Sequence, residues 1–354
     1  MLVRRLANIP AFERRCIRSS GVVPRMAIEE HGPGCPGYPG ERIPSGSGVR
    51  VRRTLPRRLP ILILAACFLL ACSPRSYVVS RLADAASSGG DVFARDDDPE
   101  LVRDAVPFAL KSMESLLDSS PDHKGLLTAL CKGFTQYAAA FVREDAEESE
   151  DPAARRAGME RARRLFLRAK EYGMRGLSVG REGFTAALSG NPVGASEWVG
   201  AEDVPLLYWT GAAWSLAVST SSDDPSLLAD LPRIEALMRR ALALDDGYDA
   251  GAIHEFFVAF EGGRPEAMGG SIERARHHME RATALSAGKK VSPLVTFAET
   301  VSVRTQDRKG FLDLLDRALA FDARSGAPEY RMGNLVSQRR AGWMKRRVDE
   351  LFLE

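Results

Sequence analysis

His254 and Glu255 stand together as the opening of a zinc-protease helix, a chemistry that needs a second His four residues on so that both imidazoles share one face. Position 258 is Val258, so no metal site is expected. His277 and His278 are adjacent, about a hundred degrees apart on a helix; alone they cannot chelate one ion and they read as solvated surface. Gly32-Pro33-Gly34-Cys35-Pro36-Gly37 has the three-glycine spacing of a dinucleotide loop. Two prolines sit inside it, and it lacks the preceding strand and following helix that would aim backbone N–H groups at a phosphate. The acidic run Glu144, Asp145, Glu147, Glu148, Glu150, Asp151 lacks the alternating ligands and central Gly of a calcium loop and reads as a solvated connection between helices. Beyond Cys72 there is no Gly-x-Ser-x-Gly elbow, phosphate-binding loop or Cys-x-x-Cys pair. The expectation is a protein without catalytic residues, metal or cofactor.

The cysteines are more informative. Arg52-Arg53-Thr54-Leu55-Pro56-Arg57-Arg58 precedes an apolar stretch at 59–71, which ends in Leu69-Leu70-Ala71 before Cys72. Arginines that stay on the cytoplasmic side, a short apolar core and small residues at its end form a secretory signal. The core is too short for a permanent span, which needs roughly 20 apolar residues. Leu69-Leu70-Ala71-Cys72 resembles the lipobox of bacterial lipoproteins, which implies that Cys72 becomes the acylated N-terminus and ties the chain to a membrane. Leu64-Ala65-Ala66-Cys67 fits the same pattern but leaves only about half of the usual ~7 to 15 apolar residues before the cut. A buried apolar helix is the plain alternative, and the arginine cluster argues against it. The signal begins some fifty residues in, so the true start is expected at Val49 or Val51, read from a valine codon, and residues 1–58 form an unstructured leader.

That leader carries twelve Arg and no Lys against four acidic residues; the whole chain is +2, so the remainder is about −6. A mildly acidic body lacks the basic footprint of a nucleic-acid binder. Cys131 remains as a solitary thiol, most often a small buried hydrophobe.

Stepping out from these residues, positions 72–95 read as a lipidated Cys and tether containing Ser87-Ser88-Gly89-Gly90, and 96–354 as one all-helical domain. Long periodic stretches of Ala, Leu, Arg and Glu are punctuated by Gly, Pro and Asp clusters, and alternating β-branched runs are nearly absent. An i, i+4, i+7 pattern of small and large apolar residues that echoes a TPR second helix recurs at Ala109, Met113, Leu116; Ala162, Phe166, Ala169; Ile234, Met238, Ala241; Ala275, Met279, Ala282; and, more weakly, Phe311, Leu315, Ala318. A small residue lets two helices approach and the large one fills the adjoining groove. The final members fall at 116, 169, 241, 282 and 318, so the spacing is irregular and the expectation is an α-solenoid of degenerate TPR-like helix pairs, with an ordinary helical bundle as the alternative. The largest insertion, 172–222, holds three of the four Trp.

Aromatics offer the candidate binding surface: Trp198, Tyr208, Trp209 and Trp214, then Phe256, Phe257 and Phe260. On a helix from about Pro205 to Ser219, Trp214 lies near the face of Thr210 and Gly211, where a neighbour or ligand comes close. Each aromatic taken singly fits core packing; together they could line an apolar cleft.

Asp98-Pro99-Glu100-Leu101-Val102 to Phe141, Leu207-Tyr208-Trp209-Thr210-Gly211-Ala212-Ala213-Trp214, His254-Glu255-Phe256-Phe257, Gly270-Ser271 to Glu280, and Gln306-Asp307-Arg308 follow in an order that resembles the TRAP transporter T-component family, TPR-containing lipoproteins of tripartite ATP-independent periplasmic transporters. The resemblance implies cryptic TPR pairs, a homotrimer, an apolar pore or cleft in each protomer, and partnership with the periplasmic substrate-binding subunit. The functional expectation is a periplasm-facing, lipid-anchored accessory protein that binds that subunit and an apolar or amphipathic small ligand. A structural envelope scaffold with no small ligand is the alternative. Which membrane holds the lipid stays open.

Overall fold

Side-chain caps and prolines decide where the helices begin. Asp98 accepts from the N–H groups of Glu100 (3.0 Å) and Leu101 (3.1 Å) just ahead of Pro99, and Asp151 accepts from Ala153 (2.9 Å) ahead of Pro152. Ser271 and Asp307 do the same for Arg274 and Gly310. Each satisfies a donor that the first helical turn leaves without a partner, and proline at the first position lacks the donor altogether.

The computed structural model describes residue 84 and residues 90–220, 229–324 and 326–353. Cys72, the apolar segment 59–71 and the leader 1–58 lie outside the described residues. Within them the chain is helical and has no strand, so the all-α expectation holds. The helices are α1 (Gly90–Arg95), α2 (Pro99–Ser119), α3 (Lys124–Tyr137), α4 (Pro152–Ser178), α5 (Phe184–Gly190), α6 (Pro192–Ser196), α7 (Val204–Ser219), α8 (Leu231–Leu244), α9 (Tyr248–Gly262), α10 (Ile272–Leu285), α11 (Ser292–Phe297), α12 (Arg308–Ala320), α13 (Arg331–Arg346) and α14 (Val348–Leu351). Two of them run on through π-helical stretches. Ala138–Arg143 extends α3 into a last turn at Glu144–Glu148, and Ala298–Ser302 extends α11.

Packing follows chain order. α4 lies against α3 and α7, α7 against α8, α9 against α10, and α11, α12 and α13 follow in turn. The recurring pattern marks these contacts: Ala162, Phe166 and Ala169, Ile234, Met238 and Ala241, and Phe311, Leu315 and Ala318 are all fully buried. The tightest approach is where α3, α4 and α7 meet. A Cβ on Gly173 would stand 2.1 Å from Thr210 Oγ1 and 3.0 Å from Cys131 Sγ, so only glycine fits there. Cys131 is fully buried at that junction and its thiol is pushed up to about 12 by burial. The insertion 172–222 is packed in: Phe184, Leu188, Ala195 and Val199 share a core with α7, α8 and α9, and Arg240 clamps the Val199 carbonyl.

Beginning and end of the stack touch. Arg331 donates to the Arg95 carbonyl (2.8 Å), and α13 packs on α1 and α2. The first copy of the pattern has a different fate from the others: Ala109, Met113 and Leu116 are only half-buried, because α2 turns toward the space this closure encloses.

Candidate functional site

α2, α3, α11 and α13 enclose a cavity of about 550 Å³. One wall is apolar. α2 contributes Val102, Val106, Leu110 and Met113, spaced along one face, and α3 contributes Tyr137 and Phe141. Both π-helical stretches border the space, through Ala139, Ala140 and Phe141 on one and Glu299 on the other. A π turn widens the helix by one residue, shifts its face, and recurs at functional sites.

Glu255, from α9, occupies one polar part of the wall with Lys290, Ser292 and Thr296 from the start of α11. Ser292 Oγ donates to Glu255 Oε2 (2.8 Å) and Thr296 Oγ1 stands 3.5 Å from Oε1. Burial pushes the Glu255 carboxyl above the usual carboxylate range, and the nearby Lys290 ammonium only partly opposes this. Lys290 donates to the Asp249 carbonyl (2.6 Å) and lies 3.6 Å from its carboxylate. Asp249 and Ala250 have positive φ (44° and 49°), a conformation that costs about 1 kcal/mol or more per non-glycine residue. The strained turn holds Asp249 against the cavity. Gly251 completes it at φ 92°, where a Cβ would come within 2.8 Å of Ala282 Cα.

The second polar part corrects the sequence reading of a solvated acidic loop. Glu144–Glu148 is helical, and the run faces arginines from α2, α3 and α13. Arg339 bonds Asp145 (2.8 Å) and Glu148 (2.9 Å), and Arg340 lies 2.5 Å from both Glu147 and Glu299. Residues so far apart in sequence form a charged seam only because the stack closes on itself. Glu144, 4 % exposed, borders the cavity beside this seam, and burial pushes its carboxyl up to about 7.

None of the seven aromatics expected at a cleft lines the cavity. Trp214 is buried, donates its Nε1–H to Asp230 (2.9 Å) and carries the Lys170 ammonium 3.7 Å above its ring. Phe257 is fully buried, edge-on to Phe256 and stacked on His278. Trp198 is half-exposed on the insertion, against Phe184. Tyr208 and Trp209 come nearest: they pack edge-on at 4.9 Å, and Lys132, a cavity residue, holds its ammonium 5.8 Å from the Trp209 ring. The large rings of α7 and α9 fill the groove of the next helix; the cavity is bordered by aliphatic, small and charged residues with other rings, Tyr137 and Phe141 among them. Ala138-Ala139-Ala140 followed by the acidic run was the available sequence signal for that wall.

His278 also departs from expectation. It leaves the surface to meet His254, Nδ1 to Nδ1 at 2.8 Å, while His254 Nε2 lies 2.6 Å from Asp246 Oδ1. One ring nitrogen of the pair donates and the other accepts, so at least one of the rings must keep a bare nitrogen. Burial, with the His254 charge, lowers His278 to about 4. Among the described residues no group of three or more His, Cys, Asp or Glu is placed to hold a metal.

The pattern of one protein family, TRAP transporter T-component, matches residues 95–352, which takes in every helix from the end of α1 to α14. The chain belongs to the TRAP transporter T-component family. A Treponema pallidum (strain Nichols) protein described as uncharacterized is 30 % identical over 318 residues, covering 84 % of this chain and 98 % of its own length. As a T-component, the chain is assigned an accessory role with TRAP transporters. No helix among the described residues is long and apolar enough to cross a membrane.

Proposed function

We propose that this T-component is a lipoprotein, held by acyl chains on Cys72 and facing the periplasm, that docks the transporter's substrate-binding subunit and shelters an amphipathic small ligand in the α2–α3–α11–α13 cavity. The observation that carries the reading is the cavity itself: an apolar wall facing groups such as Glu144, Glu255 and Arg340, inside a chain of a transporter family. Pockets that combine an apolar surface with a few placed polar groups suit ligands of the same mixed character. A homotrimer and an α-solenoid of TPR-like pairs, with its concave surfaces for partner chains, complete the proposal.

Gentle extraction of the full chain, followed by native mass spectrometry and affinity capture, tests both halves. The expected results are an acyl group on Cys72, a recurring small-molecule adduct, and capture of a TRAP substrate-binding subunit. Ala109→Phe and Ala140→Phe, each projecting a ring into the cavity, should abolish the adduct while leaving the helical signal intact. An adduct that survives in both folded variants removes the cavity as its site, and an unacylated Cys72 in the secreted protein removes the anchor.

A further inference from the structure

The charged seam beside the cavity does not balance. It contains four arginines, Arg103, Arg143, Arg339 and Arg340, and five carboxylates, Glu144, Asp145, Glu147, Glu148 and Glu299. Every arginine has a carboxylate: Arg103 holds Asp145 (2.9 Å), Arg143 holds Glu147 (3.6 Å), Arg339 holds Asp145 and Glu148, and Arg340 holds Glu147 and Glu299. Four of the five carboxylates are thereby paired. Glu144 is left over: 4 % exposed and bordering the cavity, it alone of the five has no arginine in ion-pair contact among the described residues, and its buried Oε2, like Glu147 Oε2 and Glu148 Oε1, has no hydrogen-bond donor. A buried carboxylate without a donor is costly, and one additional positive N–H group would both neutralise the cluster and satisfy that oxygen.

The apolar surface leads away from this point. Arg103 covers the Phe141 ring, while Gly133 faces the Leu110 side chain, so α2 and α3 run antiparallel across the cavity. Val102, Val106, Leu110 and Met113 therefore form a track that starts beside Glu144 and extends for about 16 Å of helix. Its far end is near Lys132, whose ammonium is half-exposed and already placed over Trp209.

Resting on the cavity reading above, we propose that the ligand is a cationic amphiphile: its protonated amine sits on Glu144 as the fifth cation of the seam, and its apolar stem lies along the α2 track. An anionic amphiphile, head-first on Lys132, is the opposite outcome. The full chain is titrated calorimetrically at pH 8 with octylammonium, octanoate and octanol, three probes with one stem and different heads. Octylammonium should bind at least about tenfold tighter than the other two. Glu144→Gln, which keeps the shape and one acceptor oxygen, should bring the three within about twofold, whereas Glu182→Gln, an exposed carboxylate outside the cavity, should keep the preference. Equal binding of all three, preference for octanoate, or an amine preference that survives in Glu144→Gln overturns the inference and leaves the cavity reading standing. Failure of all three to bind removes both.

Discussion

The interior contains two regions built from similar helices and finished differently. Between α7, α8, α9 and α10, the aromatic core is filled: Phe257, Ile234, Leu237 and Met238 have no accessible surface, and the buried Trp214 indole donates to Asp230. Between α2, α3, α11 and α13, side chains of comparable apolar character stop short and leave about 550 Å³ open. The same i, i+4, i+7 spacing of apolar residues occurs in both, at Ile234, Met238, Ala241 and at Ala109, Met113, Leu116. What differs is the opposing surface. α8 meets an immediate neighbour at contact distance; the wall opposite α2 comes from α13, brought round by closure of the stack and held off by a seam of long charged side chains. A packed region stores stability, and an unfilled one keeps unpaired groups such as Glu144 available.

Truncation separates the two most sharply. Phe257→Ala removes a fully buried ring that stacks on His278 and Phe256, and should cost about 3–5 kcal/mol in thermal or denaturant unfolding. Val106→Ala, on the cavity wall, trims a half-buried side chain that packs on the α2–α3 core on one side and borders open space on the other, and should cost about 1 kcal/mol or less. Equal losses would mean the cavity closes in solution. Gly173→Ala probes the filled side from the other direction. Its new Cβ would collide with Thr210 Oγ1 and press on Cys131 Sγ, so destabilisation of about 1–3 kcal/mol is expected from overpacking alone, readable as a lowered Tm.

The filled region was the more legible one in the sequence. Ala162-Phe166-Ala169 and Phe311-Leu315-Ala318 announce helix–helix contact because periodic small and large residues have little other use, and Asp98-Pro99 and Asp151-Pro152 announce helix starts through their caps. The aromatics of α7 and α9 were visible too, but their spacing is the same whether a ring meets a ligand or the next helix. Nothing local distinguishes the first pattern copy, which borders the cavity. The seam is still less visible. Arg339 and Glu148 are 191 positions apart, and no periodicity links a charge on α13 with one on α3; only the curvature of the whole stack does. The same holds for His278, whose partner His254 lies on the preceding helix instead of four residues away.

Glu144→Gln tests whether the unfilled region carries a standing cost. In the fold the Glu144 carboxyl keeps its proton up to about 7, against an ordinary 4.5, so between these values the folded chain binds more protons than the unfolded one. Stability contributed by this group is complete below pH 4.5 and declines as pH rises through 7. The glutamine variant has no such loss. It should be more stable than the parent by about 1–2 kcal/mol at pH 8 and indistinguishable from it near pH 4.5, in paired thermal melts.

The smallest effect sets the two regions against each other in one titration. His278, in the filled core, is held near 4 against an ordinary 6.5, so across that window the unfolded chain binds more protons and stability rises with pH. Glu144 pulls the other way over nearly the same range, from 4.5 to 7. In the parent chain the two slopes oppose, and the unfolding free energy should change little between pH 5 and 7. Removing the carboxyl in Glu144→Gln exposes the histidine slope, and that variant should gain about 1 kcal/mol over the same interval. His278→Asn, which cannot titrate, should show the reverse, a loss on raising the pH. If both variants keep the flat profile of the parent, neither group is buried in solution as it is here, and the contrast between a filled core and an unbalanced cavity wall loses its electrostatic basis.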